Sequence, residues 1–187
     1  TNLPTLAQRM ADLRSHGITK DEARFERRAD GPWSYEQQML GFNYRMTDLQ
    51  AALGLSQLGR LEAIVAKRRS LLEEYRQLLL PLPVSFLEIP VDVISSVHLA
   101  VIRLNFADRA LHCRVFEGLR AAGIGVQLHY SPVHLQPYYR QLGFGEGNFP
   151  EAENYSFNSI SLPLYPGLNG ENQNFIIKLL TSLLMSN

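Results

Sequence analysis

Leu40-Gly41-Phe42-Asn43-Tyr44-Arg45-Met46-Thr47-Asp48-Leu49-Gln50-Ala51-Ala52-Leu53-Gly54-Leu55 is the stretch from which the rest of the chain can be read. It begins as an extended polar and aromatic segment and ends as a helix. Thr47 is a good N-cap, and Gln50 three residues on completes a capping box. Leu49, Leu53, Leu55 and Leu58 leave a polar face at Asp48, Gln50 and Gln57. The helix start is therefore defined, with Asn43, Tyr44 and Arg45 just outside it. An amide, a phenol and a guanidinium held beside a helix N-terminus can present donors to an anion. The plainer alternative, favoured by spacing alone, is that the three cap and pack the helix.

Working outward, residues 4 to 14 read as a helix, with Pro4 in the first turn and Leu6, Met10 and Leu13 on one face. Gly17 ends it. A long irregular segment rich in charge then runs to about Trp33 and reads as either a functional loop or a solvated one. After the central motif, Leu61, Ile64, Val65, Leu71, Leu72, Tyr75 and Leu79 keep a helical period to about Leu80. Pro81, Pro83 and Pro90 interrupt it, so the domains divide as 1–80 and 81–187. Beyond the prolines, strands are expected over Val97 to Leu104, Gly125 to Tyr130 and Ser161 to Leu164. Helices are expected over Arg109 to Ala122 and Glu171 to Leu184, the second with Phe175, Ile176, Leu179, Leu180 and Leu183 inward. That order makes a small α+β unit, a three- or four-stranded, mostly antiparallel sheet with helices on one side.

The 187 residues are 45% hydrophobic and 19% charged, which supports a sizeable core. Lys+Arg and Asp+Glu are equal at 18, so charge gives no case for nucleic acid or an anionic membrane. Cys113 stands alone, which excludes an internal disulfide and fits a cytoplasmic setting. No apolar run reaches the roughly 18 residues of a membrane helix. The Thr1 start, opening almost directly into a helix, suggests a piece of a longer protein.

A second polar constellation runs from Val126 to Tyr139 and holds His129, His134, Tyr130, Tyr138, Tyr139, Gln127 and Gln136. With no carboxylate or cysteine nearby in sequence, a metal is not expected. Rings with directional hydrogen-bonding groups suit a polar, hydroxyl-rich ligand, and plain packing of half-buried tyrosines is the competing reading. His98, His112 and Cys113 read as structural or exposed. Trp33 reads as a lid or partner contact.

The run from Tyr35 to Gly54 resembles the G-x-N-x-R-x-[ST]-[DE]-x-Q-A-A signature of the DegT-type nucleotide-sugar aminotransferases, which are pyridoxal-phosphate enzymes of fold type I. Gly41, Asn43, Arg45, Thr47, Asp48, Gln50, Ala51 and Ala52 stand at its positions. Arg14-Ser15-His16-Gly17-Ile18, His129 to Tyr139, and Ser161-Leu162-Pro163-Leu164-Tyr165-Pro166 match in order, so the resemblance covers essentially the whole chain. It is most similar to the branch that aminates C4 of a UDP-linked 4-keto-6-deoxy-N-acetylhexosamine toward pseudaminic acid. The resemblance implies an α/β fold of which this is the C-terminal part: 1–80 a remnant of the large domain with interdomain helices, 81–187 the small α+β domain. It implies pyridoxal 5'-phosphate as cofactor, a nucleotide sugar and an amino-acid donor, typically glutamate, as substrates, and a homodimer with sites at its interface.

By the same resemblance, Asn43 reaches the cofactor phosphate of the neighbouring subunit, and Arg45 supports that loop or the substrate diphosphate. His129, Tyr130, His134 and Gln136 match the loop bordering the sugar-nucleotide pocket, His16 is expected near the substrate mouth, and Tyr44 is expected to bind substrate. The Schiff-base lysine lies ahead of the Arg14-Ser15-His16-Gly17 match. Lys20, Lys67 and Lys178 are the only lysines here and none fits its position. The chain alone is thus expected to be inactive. The resemblance leaves open a pyridoxamine-phosphate-dependent sugar dehydratase of the same fold, and the residues also allow a non-catalytic binding or dimerisation domain. With the large domain absent, the apolar faces of 4–14 and 47–80 would stay exposed and drive self-association.

Overall fold

The structure, a computed structural model, describes residues 1–105 and 108–185. The chain forms two compact units, Thr1–Gly59 and Arg60–Asn187.

In the first unit, helix α1 (Pro4–Arg14) has its proline in the first turn, where the missing N–H costs nothing. Leu6 and Met10 share a face as expected, yet that face is exposed, and the buried residue of α1 is Asp12. The reason is electrostatic. Arg24 reaches back from the charged segment and grips Asp12 as a fork, Nη1 to Oδ1 at 3.0 Å and Nη2 to Oδ2 at 2.5 Å. Gln8 adds a third donor at 3.1 Å. The segment read as irregular is therefore partly ordered. It opens with β1 (Ile18–Thr19), which pairs antiparallel with β2 (Glu36–Gln37), and holds a 3₁₀ turn at Glu22–Arg24. Glu36 closes it further by accepting from the backbone N–H groups of Glu26 at 2.7 Å and Arg27 at 2.9 Å. Helix α2 (Asp48–Leu58) starts where the sequence places it, with both halves of the Thr47–Gln50 capping box formed. Leu49, Leu53, Leu55 and Leu58 are all exposed.

The second unit carries the core. Helix α3 (Leu61–Leu79) buries Leu71, Leu72, Tyr75 and Leu79, and the Tyr75 hydroxyl donates to the Pro163 carbonyl at 3.1 Å. The compact units part at Gly59, ahead of the prolines, because α3 packs into this core. The proline-bounded stretch also holds a strand, β3 (Val84–Phe86), which neither periodicity nor composition announced. β3, β4 (Ala100–Leu104) and β5 (Ser159–Leu162) form an antiparallel sheet in that order, with Ser85 opposite Arg103 and Val101 opposite Ser161. Ala100, Ile102 and Leu104 are buried as the alternation requires. Helix α4 (Arg109–Ala121) buries Leu111, Val115 and Leu119, is capped by Asp108, and stops before Gly123 at φ +79°. The short helices α5 (Pro137–Gln141) and α6 (Pro150–Asn158) and the closing helix α7 (Gly170–Met185) complete it.

Two expectations are corrected here. Gly125 to Tyr130 is not a strand: it makes a single antiparallel bridge, Gln127 to Ser161. The next hydrogen-bonded pair of such a ladder would be His129 with Ser159, and the Ser159 carbonyl is instead met by His112 Nε2 at 3.0 Å. On α7, Phe175 points outward at 53% exposure while Gln173 is fully buried, donating to the Leu71 carbonyl at 2.9 Å. The buried stripe of α7 runs through Gln173, Ile176, Ile177 and Leu180, and Phe175 falls outside it.

Two measurements check this picture. Leu119→Ala should lower stability by about 2–5 kcal/mol in urea unfolding, whereas Phe175→Ala should change it by no more than about 0.5 kcal/mol. Acid should weaken the polar pairing of the first unit. The Arg24 guanidinium holds the Asp12 carboxyl below its ordinary 3.8, against the opposing effect of burial; the Glu26 N–H leads in holding Glu36 below 4.5. The stabilisation is complete above those ordinary values and vanishes as pH falls through the lower folded ones. Residue-resolved NMR from pH 7 downward should show residues 8–38 destabilised in that window, and Asp12→Asn should blunt the dependence.

Candidate functional site

In the first unit, the end of α1 and the segment before α2 lie side by side, joined through their backbones. Phe42 N–H donates to the Leu13 carbonyl at 2.6 Å, His16 N–H to Phe42 at 2.8 Å, Tyr44 N–H to Arg14 at 2.9 Å, and Gln38 N–H to Gly17 at 2.8 Å. Ser15 and Asn43 form an antiparallel bridge. So close an approach needs glycine on both sides. A Cβ on Gly17, itself at φ +69°, would strike the Met39 carbonyl oxygen, and one on Gly41 would strike the Gly17 nitrogen. Two motifs far apart in sequence, Arg14 to Ile18 and Gly41 to Arg45, thus become one surface.

On that surface His16, Asn43, Tyr44 and Arg45 are all exposed. Arg45 Nε donates to Asn43 Oδ1 at 2.8 Å, which orients the amide and leaves its Nδ2 and both Arg45 Nη groups to donate outward. Tyr44 stacks on Phe42 with ring centroids 4.8 Å apart and planes 13° off parallel. His16, at φ 62°, has its N–H and carbonyl tied to Phe42 and the Gln37 side chain. The donor set, one cation and one amide with no carboxylate among the described residues bonded to either, suits a phosphate. It offers nothing for an aldehyde. Lys20, Lys67 and Lys178 are each exposed, the last two on α3 and α7.

In the second unit, the run from Gln127 to Tyr139 leaves the edge of β5. Gln127 and Ser161 exchange both backbone hydrogen bonds, at 3.3 and 2.8 Å. Two residues later, His129 sets Nδ1 at 2.8 Å from the Ser161 hydroxyl. Tyr130, 71% exposed, meets the His129 ring edge-on at 4.7 Å. His134 turns inward: it is buried, with Nε2 at 2.8 Å from Glu153 Oε1 and the Phe149 ring at 4.8 Å. Glu153 also accepts from Gly147 N–H at 2.9 and 3.0 Å and from Phe149 N–H at 3.4 Å. These donors, Gly147 first and His134 second, hold its carboxyl below the ordinary value. Gln136 is exposed at the start of α5.

A carboxylate is therefore present beside His134, brought in from α6. Glu153 and Ser161 were not singled out from the sequence. The only signal for Glu153 was its place in the first turn after Pro150, where a carboxylate meets free N–H groups. Among the described residues no three metal-type ligands come together. His112 Nε2 lies 3.0 Å from the Ser159 carbonyl, His98 and Cys113 are exposed, and Trp33 is exposed in the charged segment. Among the described residues no helix is long and apolar enough to cross a membrane.

The model of the DegT/DnrJ/EryC1/StrS aminotransferase family matches residues 1–181. The spore coat polysaccharide biosynthesis protein SpsC of Bacillus subtilis is 32% identical over 185 residues, covering 92% of this chain and 45% of that protein. The chain thus spans about half the length of the curated relatives it matches. Among solved structures, Helicobacter pylori PseC, an aminotransferase involved in the biosynthesis of pseudoaminic acid, superposes with a TM-score of 0.85 at 28% identity, over 100% of this chain and 48% of that one. The PMP-form of the putative sugar aminotransferase Spr1654 from Streptococcus pneumoniae gives 0.85 at 29% identity, over 96% and 45%. Its PLP-form gives 0.84 at 27%, over 98% and 44%. The fold is the fold-type I sugar aminotransferase fold seen in these neighbours, and the chain belongs to the DegT/DnrJ/EryC1/StrS aminotransferase family.

Proposed function

We propose that this chain serves as the C-terminal part of a pyridoxal-phosphate-dependent aminotransferase that aminates a nucleotide-linked 4-keto-6-deoxy sugar, with glutamate as donor. The observation that carries this is the Asn43–Arg45 pair: an oriented amide and a cation with outward donors, fixed beside His16 by the Gly17–Gly41 contact. Asn43 Nδ2 and the Arg45 Nη groups would hold the cofactor phosphate, and when bound the cofactor supplies the electron sink that amino transfer needs. Solved relatives in PLP- and PMP-forms support the cofactor, and the likeness to PseC supports the sugar branch.

The chain's other groups have simpler tasks. His16 and Tyr44 flank the phosphate donors. His129, Tyr130 and Gln136 offer a ring face and hydrogen-bonding atoms to the sugar nucleotide, and His134 holds their loop through Glu153. A cytoplasmic setting suits the exposed, unpaired Cys113. The homodimer belongs to the same proposal. Leu49 and Leu53, one turn apart on α2 at 82% and 63% exposure, with Leu40 and Met46 beside the same motif, form an apolar surface of the kind that marks an interface.

Three outcomes test the reading. The chain alone, given pyridoxal phosphate, glutamate and a UDP-4-keto sugar, should form no aminated product and no lysine-bound absorbance; turnover would overturn the assignment of the lysine to another segment. Pyridoxal phosphate, but not pyridoxal, should shift the NMR signals of the Asn43 side-chain amide and Arg45 Nε–H; equal or no response from both would remove the phosphate site. In sedimentation, the chain should self-associate and Leu49→Glu with Leu53→Glu should return it to monomer; a monomeric unmodified chain would refute the interface.

A further inference from the structure

The loop after Gln127 holds two histidines with opposite commitments. His134 is buried, and its Nε2 faces a carboxylate oxygen of Glu153 that can only accept. That nitrogen must carry the proton, and the proton is used inside the fold. His129 is half-buried, with Nδ1 facing the Ser161 hydroxyl at 2.8 Å. Its Nε2 makes no hydrogen bond among the described residues.

A hydroxyl can donate or accept, so the direction of the Ser161–His129 bond has to be argued. Ser161 is 4% exposed, and His129 Nδ1 is the one partner of its Oγ among the described residues. If Nδ1–H donated to Oγ, the serine proton would be left buried without an acceptor, an arrangement that folded proteins avoid. If Oγ–H donates to Nδ1, every buried group is satisfied. The serine proton then goes to Nδ1, and the ring proton must sit on Nε2.

We infer that Ser161 is a positioning residue that locks His129 in the tautomer protonated at Nε2, so that His129 presents a fixed N–H donor outward from the loop. The ligand chemistry it fits is an acceptor oxygen, a sugar hydroxyl or a diphosphate oxygen. That second step rests on the function proposed above; the tautomer does not. The fold supplies the constraint twice over. The Gln127–Ser161 bridge sets the distance between the loop and β5, and burial of β5 denies the serine any other acceptor. Tyr130, edge-on to the ring, limits rotation on its exposed side. The same reasoning removes His134 as a donor to any ligand.

The test needs neither cofactor nor substrate. With five histidines in the chain, long-range proton–nitrogen correlation spectra of the ¹⁵N-labelled protein at about pH 8, where imidazoles are neutral, resolve each ring. His129 should show an unprotonated Nδ1 and a protonated Nε2. In Ser161→Ala its signals should move toward the averaged pattern of two exchanging tautomers, and Ser161→Thr should restore the locked one. The His134 signals should stay put in both variants, which reports that the fold is intact. A wild-type His129 protonated at Nδ1 would overturn the inference, as would a His129 pattern unchanged in Ser161→Ala. Neither result would touch the Asn43–Arg45 phosphate test, so failure of one reading is distinguishable from failure of the other.

Discussion

The contact between Gly17 and Gly41 is the constraint on which the first unit depends. Two backbone segments lie closer there than any side chain allows, and the hydrogen bonds from Phe42, His16, Tyr44 and Gln38 follow from it. The large hydrophobic residues of this unit are mostly exposed, and the buried hydrophobic core lies entirely at Leu71 and beyond. Order in the first unit therefore comes from polar pairing: backbone to backbone at the glycines, Asp12 to Arg24, and Glu36 to the N–H groups of Glu26 and Arg27. Such pairing is directional, and it suits a surface that must hold an amide and a guanidinium at set positions.

The second unit is organised in the opposite way. Burial of Tyr75, Ile102, Leu119, Ile160 and Leu180 supplies the main driving force, and polar groups are placed against that core one at a time. Gln173 meets the Leu71 carbonyl, Tyr75 meets Pro163, and Ser161 meets His129. A rigid sheet with buried serines on β5 can hold a loop histidine by a single hydroxyl, because the hydroxyl has no alternative partner. Glu153 does the same for His134 from α6. The loop from His129 to Gln136 is thus tied at two points to regular structure.

Much of the fold was legible locally. The capping box, the α1 start at Pro4, the alternation in β4 and the inward face of α4 depend on neighbours a few residues apart, and they stand where the periodicity puts them. Non-local competition defeated the rest. Residues 125–130 carry a strand-like pattern, but pairing stops at the Gln127–Ser161 bridge, and the Ser159 carbonyl that the next ladder bond would use is met by His112. Phe175 fits a helical stripe, but the face of α7 that packing buries runs through Gln173, Ile176, Ile177 and Leu180. β3 is short and lies among prolines, so only its pairing with β4 reveals it.

For the candidate site the division is similar. The sequence by itself determined the residue types and the motif around Asn43 and Arg45, because capping chemistry and a spaced signature are local properties of the chain. It also determined that the chain holds three lysines, Lys20, Lys67 and Lys178. Only the tertiary structure decided that Arg14 to Ile18 lies against Gly41 to Arg45, that His134 is withdrawn onto Glu153, and that His129 Nδ1 meets the Ser161 hydroxyl. Those facts arise from pairings between residues distant along the chain, and which donor meets which acceptor is set by packing rather than by spacing.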